Sequence, residues 1–282
     1  MFIEKNNKAK RKKQEDNRCD KNFLNSYYET NNDFPLFSQV LIETRTDCNK
    51  HCSFCPQSFY KRESEVMKWK IYKKIIDSLA GIGFAGRIAL FVSNEPLLET
   101  RLIKMIRYAK RKSPRFFVDI TTNGLLLNIE KVDELFSAGL DNMNINDYRN
   151  DRADFKDKVS NNLVQVIETY RSNPKITYNS RSSQEQLPNY AGVIPQKFNS
   201  FDFGFCNFPF RKLVFDVNGN VIVCCNDFKH TTNLGNIENT SILSLWHSEK
   251  MNEIRENLLK DNRIWLCASC NDNQKYSVYY TE

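Results

Sequence analysis

The chain of 282 residues lacks the long apolar runs that membrane and secreted proteins carry. No apolar segment approaches the roughly 20 residues of a membrane-spanning helix. The first residues, MFIEKNNKAKRKKQ, are charged and contain no apolar stretch of the kind that a secretory signal needs. There is no internal repeat of fixed period either. These absences predict a cytoplasmic protein without a membrane partner, and the length allows one large core with or without a small appended domain.

The chain also lacks a basic surface that is interleaved with aromatic side chains. Its net charge of +7 is concentrated in two clusters, one in residues 1–34 and one around Leu102, Ile103 and Ile106. We expect residues 1–34 to be a basic, disordered tail and the second cluster to be the solvated face of an amphipathic helix. Neither cluster has the aromatic platform of a dedicated nucleic-acid binder, so no nucleic-acid partner is expected.

Nine cysteines, an odd number, favour metal ligands over disulfides in a chain of this kind. Three of them, Cys48, Cys52 and Cys55 (the loop cysteines), stand in DCNKHCSFCPQ directly after the β-type stretch FSQVLIET. Such closely spaced thiolates can converge on one soft cluster, and three thiolates hold only three irons of a four-iron cube. A zinc knuckle is the alternative, but zinc prefers four ligands in paired C-x2-C units. The next cysteine is about 150 residues further on.

The C-x3-C-x2-C arrangement of the loop cysteines resembles that of radical S-adenosylmethionine (SAM) enzymes. The resemblance implies a 4Fe-4S cluster whose open iron is chelated by the amino and carboxyl groups of SAM. It also implies that Phe54 packs near the adenine of SAM. A reductant such as flavodoxin or ferredoxin is then an expected partner.

Strand-like and helix-like segments alternate along the first two thirds of the chain. The strand candidates are FSQVLIE, RIALFVS, FFVDITT, NMNIN and KITYNSR. The helical patterns between them are KWKIYKKIIDSLAGIG, LLETRLIKMIRYAKRK, NIEKVDELFSAGL and DKVSNNLVQVIETYRS. This alternation predicts a parallel sheet with right-handed crossovers. Because five strands cannot close an eight-stranded barrel, residues 35–200 are predicted to form a partial, open TIM-like β/α barrel of the radical SAM type, in the α/β class.

The second strand candidate ends in the sequence Ser93-Asn94-Glu95-Pro96, and chemistry belongs at the carboxyl ends of such strands. The segment occupies the place of the family's Gly-Gly-Glu or Gly-Glu-Pro motif, whose carbonyls and carboxylate hold the ammonium of SAM. Ser93 and Asn94 replace the small glycine positions. The alternative is a plain helix start, with Asn94 capping and Pro96 just inside.

Polar residues follow the later strand candidates as well. Thr122 and Asn123, in Thr-Thr-Asn-Gly, are similar to the family's segment near the ribose and methionine moiety of SAM. In this architecture Asn146 would face SAM. The candidate substrate contacts are Asp147, Arg149 and Arg181. Alternatively, the first two of these form a surface ion pair worth under about 1 kcal/mol.

The C-terminal third, residues 201–282, changes character. Two short strands are predicted to join in a hairpin at Asn218-Gly219, and TSILSLWHSEKMNEIRENLLK follows as an amphipathic helix. The helix is expected to turn five side chains toward a core, Leu243, Trp246, Met251, Ile254 and Leu258. Five cysteines accompany these elements, which is enough for one four-cysteine site with one thiol to spare. Zinc is the structural alternative at such a site.

This third resembles the SPASM domain, or the shorter twitch domain, of radical SAM enzymes, including the stretch LGNI followed by Trp246. The resemblance implies a second, auxiliary 4Fe-4S cluster on Cys206, Cys224, Cys267 and Cys270 (the auxiliary cysteines). Because a single cysteine closes the equivalent strand in the family's dehydrogenases, Cys224 is selected as the ligand and Cys225 is left over.

The layout of the chain is most similar to the family's short dehydrogenases. The resemblance implies hydrogen abstraction from a carbinol carbon of a sugar, aminocyclitol or similar small metabolite, giving a ketone, with the auxiliary cluster as electron acceptor. A second hypothesis is an epimerase of a sugar or peptide residue in which Cys225 is the catalytic hydrogen-atom donor; otherwise Cys225 is a small buried hydrophobe. A non-catalytic iron-sulfur protein that binds nucleic acid or a partner is the third hypothesis, and it leaves Glu95 without a role.

Overall fold

The computed structural model of the chain describes residues 20–150, 161–182, 188–195 and 205–272, without the side chains of residues 148–150, 181 and 182. The strands of the described part are β1 (Gln39–Ile42), β2 (Arg87–Ala89), β3 (Phe117–Thr122), β4 (Asn142–Asn150), β5 (Ile176–Ser182), β6 (Lys212–Phe215) and β7 (Val221–Ile222). Its helices are α1 (Lys21–Asn31), α2 (Trp69–Gly81), α3 (Leu102–Lys112), α4 (Ile129–Ser137), α5 (Asn161–Thr169), α6 (Phe208–Arg211), α7 (Ile242–Trp246) and α8 (Glu249–Leu259).

The strands form one open sheet in the order β5-β4-β3-β2-β1-β6-β7. All neighbouring strands are parallel except β7, which runs antiparallel to β6. The five strand candidates of the sequence are β1 to β5, and each of the first four leads into a helix. The predicted α/β fold, an open β/α barrel, is therefore confirmed.

The two faces of the sheet differ in chemistry because side chains alternate along a strand. Val40, Ile88 and Leu213 are fully buried on the outer face, where helices α2 to α5 add their apolar side chains to the same core. The inner face starts with polar residues on β1, β2 and β6, since Gln39 lies opposite both Arg87 and Lys212. The middle of this face carries a small apolar cluster of Leu41, Ala89, Val214 and Ile222. The inner face can therefore hold polar groups, which an ordinary core excludes.

The prediction of a disordered tail over residues 1–34 is wrong for residues 20–34. Asp20 caps α1 by accepting hydrogen bonds from two backbone N–H groups, and Leu24 is fully buried. Tyr28 stacks on Phe34 with ring centroids 4.7 Å apart and donates a hydrogen bond of 2.7 Å to Glu256 of α8. Long-range contacts therefore hold this helix, and a polar sequence does not reveal them. Residues 1–19 lie outside the described part of the chain.

The predicted hairpin is confirmed. β6 and β7 meet through a turn in which Gly219 has a φ of +81°, and a Cβ at that position would lie 2.8 Å from Ile71 Cγ2. The hairpin is not a separate layer, however, because β6 pairs with β1 in the main sheet. The boundary predicted at residue 200 falls among residues outside the described part.

The single amphipathic helix predicted after the hairpin is two helices, α7 and α8. Ser248 between them has extended backbone (φ −62°, ψ 146°), which ends one helix and begins the next. The interruption changes which side chains face the core. Leu243 is 42% exposed, contrary to the prediction, whereas Trp246, Met251, Ile254 and Leu258 are buried as predicted. Among the described residues, no helix has the length and apolar character to cross a membrane.

Candidate active site and auxiliary cysteine site

The loop cysteines follow the carboxyl end of β1 and are fixed by short-range hydrogen bonds. Cys55 N–H donates to the Cys52 carbonyl at 2.9 Å, and Ser58 Oγ donates to the same carbonyl at 2.8 Å. A short 3-10 helix, Pro56–Ser58, begins directly after Cys55 and ends the loop. Phe54 lies in this loop, half-buried between two of the cysteines.

The loop cysteines are poor acids in this setting. Burial raises the pKa of Cys48 and raises the pKa of Cys55 to about 12, so neither side chain would be a thiolate at neutral pH by itself. A thiolate is the form that binds iron, and it needs a positive group nearby to exist here. The raised pKa values alone suit buried free thiols equally well, and it is the close spacing of the three sulfur donors that fits a metal cluster.

Glu95 is the best-positioned carboxylate near this loop. It is 2% exposed, and its oxygens accept hydrogen bonds from Thr122 Oγ1 at 2.6 Å, Asn123 N at 2.8 Å and Leu97 N at 3.0 Å. Burial raises the pKa of Glu95, and these hydrogen bonds oppose that rise. Its own N–H donates to the Asp47 carbonyl at 3.1 Å, which ties the motif to the cysteine loop.

The alternative in which Asn94 caps a helix start is wrong in its detail. Glu95 is the capping residue, since its side chain accepts from Leu97 N–H at the start of the 3-10 helix Pro96–Leu98. Asn94 Oδ1 turns back and accepts from Val92 N–H at 3.0 Å.

Two buried polar atoms beside Glu95, Ser93 Oγ and Asn94 Nδ2, have no hydrogen-bond partner in the described part of the chain. Such atoms are costly in a folded protein unless a ligand or water satisfies them. Asn123 lies on the same side, where its Nδ2 donates to Asn49 Oδ1 at 2.7 Å and lies 3.8 Å from Cys48 Sγ. A polar ligand such as SAM fits this place, next to the loop cysteines.

The ends of β4 and β5 form a second polar group. Asp147 is 2% exposed and accepts a hydrogen bond of 2.6 Å from Tyr178, while Asn146 accepts one of 3.2 Å from Asn179. Tyr178 was not singled out from the sequence, where it reads as an ordinary strand residue. The side chains of Arg149 and Arg181 lie outside the described part of the chain, so their contacts stay predictions.

The auxiliary cysteines share one cavity between α6 and the segment around residues 263–270. Cys206, Cys224 and Cys270 are 7–8% exposed and Cys267 is half-buried. Burial raises the pKa of Cys206 to about 11 and the pKa of Cys267 to about 12, so these thiols also need a positive group to ionise. Among the described residues, no three side chains of His, Cys, Asp or Glu lie close enough together to bind a single metal ion. Four soft donors around a common cavity fit a group of several atoms.

Other residues around this cavity were not predicted. Asp272 N–H and Asn226 Nδ2 lie 3.5 Å and 3.7 Å from Cys270 Sγ, within hydrogen-bonding distance of sulfur. Arg263 donates to the Cys270 carbonyl at 2.9 Å, and its charge lowers the pKa of three auxiliary cysteines against the effect of burial. Asn226 follows the adjacent cysteines in sequence, which is the only signal that pointed to it.

Cys225 is not among the residues that line the auxiliary cavity. It packs on the inner-face apolar cluster, on which Phe91 and Val92 also pack, and on the main core that includes Cys206 and Cys224. Phe91 and Val92 lead directly into Ser93 and the Glu95 motif. Cys224 lines the auxiliary cavity and Cys225 does not; a turn begins here, in which Asp227 N–H donates to the Cys224 carbonyl at 3.2 Å.

A buried ionic network that the sequence did not indicate joins the two cysteine regions. Glu43, fully buried just after β1, pairs with Arg62 through two hydrogen bonds of 3.0 and 2.6 Å. His230 Nε2 lies 3.3 Å from Glu43, and its Nδ1 lies 3.6 Å from Asp216 at the end of β6. Burial raises the pKa of Glu43, but the hydrogen bonds from His230 and Arg62 outweigh it and hold the pKa below its usual value.

Known families match both regions of the chain. The model of the radical SAM superfamily matches residues 42–147, and that of SPASM, an iron-sulfur cluster-binding domain, matches residues 206–271. The chain belongs to the radical SAM superfamily and is an enzyme whose cofactors are SAM and iron-sulfur clusters.

Individual relatives are similar over different shares of the chain. The S-adenosyl-L-methionine-dependent 2-deoxy-scyllo-inosamine dehydrogenase of Niallia circulans is 30% identical over 245 residues, 84% of this chain and 94% of its own. The crystal structure of BtrN in complex with AdoMet and 2-DOIA has a TM-score of 0.73 at 26% identity, covering 85% of this chain and 95% of that one. GTP 3',8-cyclase of Chlorobaculum tepidum is 34% identical over 116 residues, which are 41% of this chain and 34% of its own. Likeness over more than four fifths of this chain is thus found with a dehydrogenase.

Proposed function

We propose that the enzyme dehydrogenates a secondary alcohol of an aminocyclitol, sugar or related small polyol. The observation that carries the proposal is the likeness to a dehydrogenase of this substrate class over 94% of that protein's length. The polar side chains at the two ends of the inner face support it, because hydroxyl and amino groups of a substrate need hydrogen-bonding partners.

In the proposed chemistry the carbinol loses its two hydrogens in different forms, one as a hydrogen atom and one as a proton. When bound, SAM and the cluster on the loop cysteines supply a 5'-deoxyadenosyl radical that takes a hydrogen atom, and the auxiliary cluster supplies an acceptor for one electron. The substrate loses that hydrogen atom, one electron and one proton, and its carbinol becomes a ketone. A one-electron reductant such as flavodoxin or ferredoxin supplies the electron that SAM cleavage consumes.

The chain's own residues position the reactants. We assign Glu95 to the ammonium of SAM, with Thr122 and Asn123 fixing the orientation of its carboxylate through the hydrogen bonds described above. Ser93 and Asn94 offer their unpartnered polar atoms to the same ligand. The remaining assignments are Phe54 to the adenine, Asn146 to SAM, and Asp147, Arg149 and Arg181 to the substrate.

A second candidate function is epimerisation, in which a thiol returns a hydrogen atom to the substrate radical. The observation in its favour is that Cys225 packs on the inner-face apolar cluster and is not among the residues that line the auxiliary cavity. A thiol on that face is not needed as a cluster ligand, because the four auxiliary cysteines supply the ligand set.

Product mass spectrometry after anaerobic reconstitution tests both functions. Candidate aminocyclitols and sugars are incubated with SAM and reductant, starting with 2-deoxy-scyllo-inosamine. Dehydrogenation is expected, and it removes two hydrogens from the product. An unchanged mass in light water, with one deuterium gained in heavy water, would identify an epimerase and overturn the proposal.

A further inference from the structure

Two adjacent basic residues where α6 leads into β6, Arg211 and Lys212, are buried, and neither forms a salt bridge with a carboxylate of the described residues. Each is 6% exposed. Nε and Nη2 of Arg211 are buried and have no hydrogen-bond partner among the described residues. In the part of the chain that the structure describes, no carboxylate pairs with Lys212 Nζ; its contact is with an aromatic ring. Burying an uncompensated charge is strongly unfavourable, so two such charges side by side need an explanation.

The position of these cations relates them to the auxiliary cysteines. Lys212 Nζ lies 3.4 Å from the centroid of the Phe208 ring, and Arg211 Cζ lies 5.4 Å from the same centroid. Phe208 also lines the cavity that the auxiliary cysteines share. Both positive charges therefore contact an aromatic side chain that itself borders the auxiliary site.

A neighbouring cation on the inner face, Arg87, is balanced by a buried carboxylate. Arg87 lies near Lys212, on the other side of β1, and pairs with Asp119 through two hydrogen bonds of 2.9 and 2.7 Å. Asp119 is itself 2% exposed, so this buried charge is balanced by the protein. No such carboxylate has been provided for Arg211 and Lys212 among the described residues.

The protonation of Lys212 is unfavourable in the protein alone. Burial lowers its pKa, and the positive charges of Arg211 and Arg87 act in the same direction. Cys225 and Asp272 favour the charged form but do not outweigh burial. An additional negative group close by would restore the charged amine.

We propose that Arg211 and Lys212 are the counter-charge of the auxiliary cluster and raise its reduction potential. A four-iron cluster with four thiolate ligands is negative, and reduction adds one more negative charge, so nearby cations favour the reduced form. The inference rests on the proposed function, in which the substrate radical loses a proton and passes one electron to this cluster. The two cations make that transfer more favourable.

The test measures the potential of the auxiliary cluster directly. In the full chain with the loop cysteines replaced by alanine, the auxiliary cluster is the iron site that remains, and its reduction is followed by electron paramagnetic resonance at controlled potentials. Lys212→Met is expected to lower the ratio of reduced to oxidised cluster at least tenfold at a fixed potential, which is 59 mV for one electron. Lys104→Met is the matched control, because Lys104 is an exposed lysine 4.7 Å from the centroid of Trp69 on α2.

A second measurement serves if loading of the variant is poor. Removing an uncompensated buried charge is expected to raise the melting temperature of the apoprotein. It should also reduce the increase in melting temperature that cluster loading produces, for Lys212→Met and for Arg211→Gln alike. If the cluster of Lys212→Met has the same reduction potential as that of the Lys104→Met control, the counter-charge proposal is wrong and the proposed function is unaffected. A site that takes up zinc and no iron would overturn both.

Discussion

Replacing Glu95 by glutamine is the most informative single change, because the structure separates two roles of this side chain. The carboxylate holds the end of β3 through Thr122 and Asn123, and in the proposed function it also binds the ammonium of SAM. Glutamine has nearly the same shape but no charge. If the NH2 group of glutamine takes the place of Oε2, it faces the backbone N–H of Asn123, which can only donate. The hydroxyl of Thr122 can rotate and accept a hydrogen bond instead.

The expected effect follows from the charge. A charge-assisted hydrogen bond contributes about 1.5 to 3 kcal/mol, and about 1.4 kcal/mol corresponds to a tenfold change in affinity. Glu95→Gln should therefore weaken SAM binding by about 10- to 150-fold, measured by anaerobic calorimetry on reconstituted protein. Iron content should not change, since Glu95 is not a cluster ligand.

Thr122→Val is the matched control for the structural role. It removes one hydrogen bond to the carboxylate but leaves the charge, so SAM binding should weaken by only about fivefold, equivalent to about 1 kcal/mol. If Glu95→Gln binds SAM as tightly as the unchanged protein, the ammonium assignment is wrong and Glu95 is only the capping residue of its 3-10 helix.

Three further outcomes are expected. Reconstituted protein should contain about eight irons per chain, and replacing the loop cysteines by alanine should halve this and abolish SAM cleavage; a variant that still cleaves SAM refutes the assignment. Glu43→Gln should lower the free energy of unfolding of the apoprotein by about 3 kcal/mol at pH 7 by breaking its buried pair with Arg62. Because folding lowers the pKa of Glu43, its contribution to stability is present above about pH 4.5 and is lost as the pH falls through the folded pKa. A difference in free energy of unfolding between Glu43→Gln and the unchanged protein that stays constant in urea titrations at lower pH would contradict this. Cys225→Ala should keep full turnover if the enzyme is a dehydrogenase, whereas lost product with continued 5'-deoxyadenosine formation supports the epimerase.

The parts of the fold that the sequence predicted are those with local signals. β1 and β3 are short runs that are mainly apolar or β-branched, β4 alternates Met143 and Ile145 with polar residues, and the helices between the strands repeat apolar residues at helical spacing. The loop cysteines were recognisable because they lie close together in sequence, whereas only Cys267 and Cys270 are close among the auxiliary cysteines, and that set was inferred from a family resemblance. The turn at Gly219 was equally local, since an Asn-Gly pair favours a tight hairpin turn.

The parts that were missed depend on contacts between distant residues. α1 has a polar sequence, and its partner residue Glu256 is 228 positions from Tyr28. The network of Glu43, Arg62 and His230 brings together three segments that carry no shared motif. The break between α7 and α8 was missed for another reason, because a serine inside an amphipathic pattern does not by itself interrupt a helix.

The topology of β1, β6 and β7 determines where a substrate must bind if the proposed function is right. The loop cysteines follow the carboxyl end of β1, whereas Cys206 precedes the parallel strand β6, and Cys224 follows the antiparallel strand β7. The two sites therefore lie at opposite ends of neighbouring strands, and a strand of four residues is about 13 Å long. A substrate on the inner face would have the hydrogen-atom acceptor at one end and the electron acceptor at the other. Lys212 begins β6 on the inner face, so its charge is at the end of the sheet to which the electron must go.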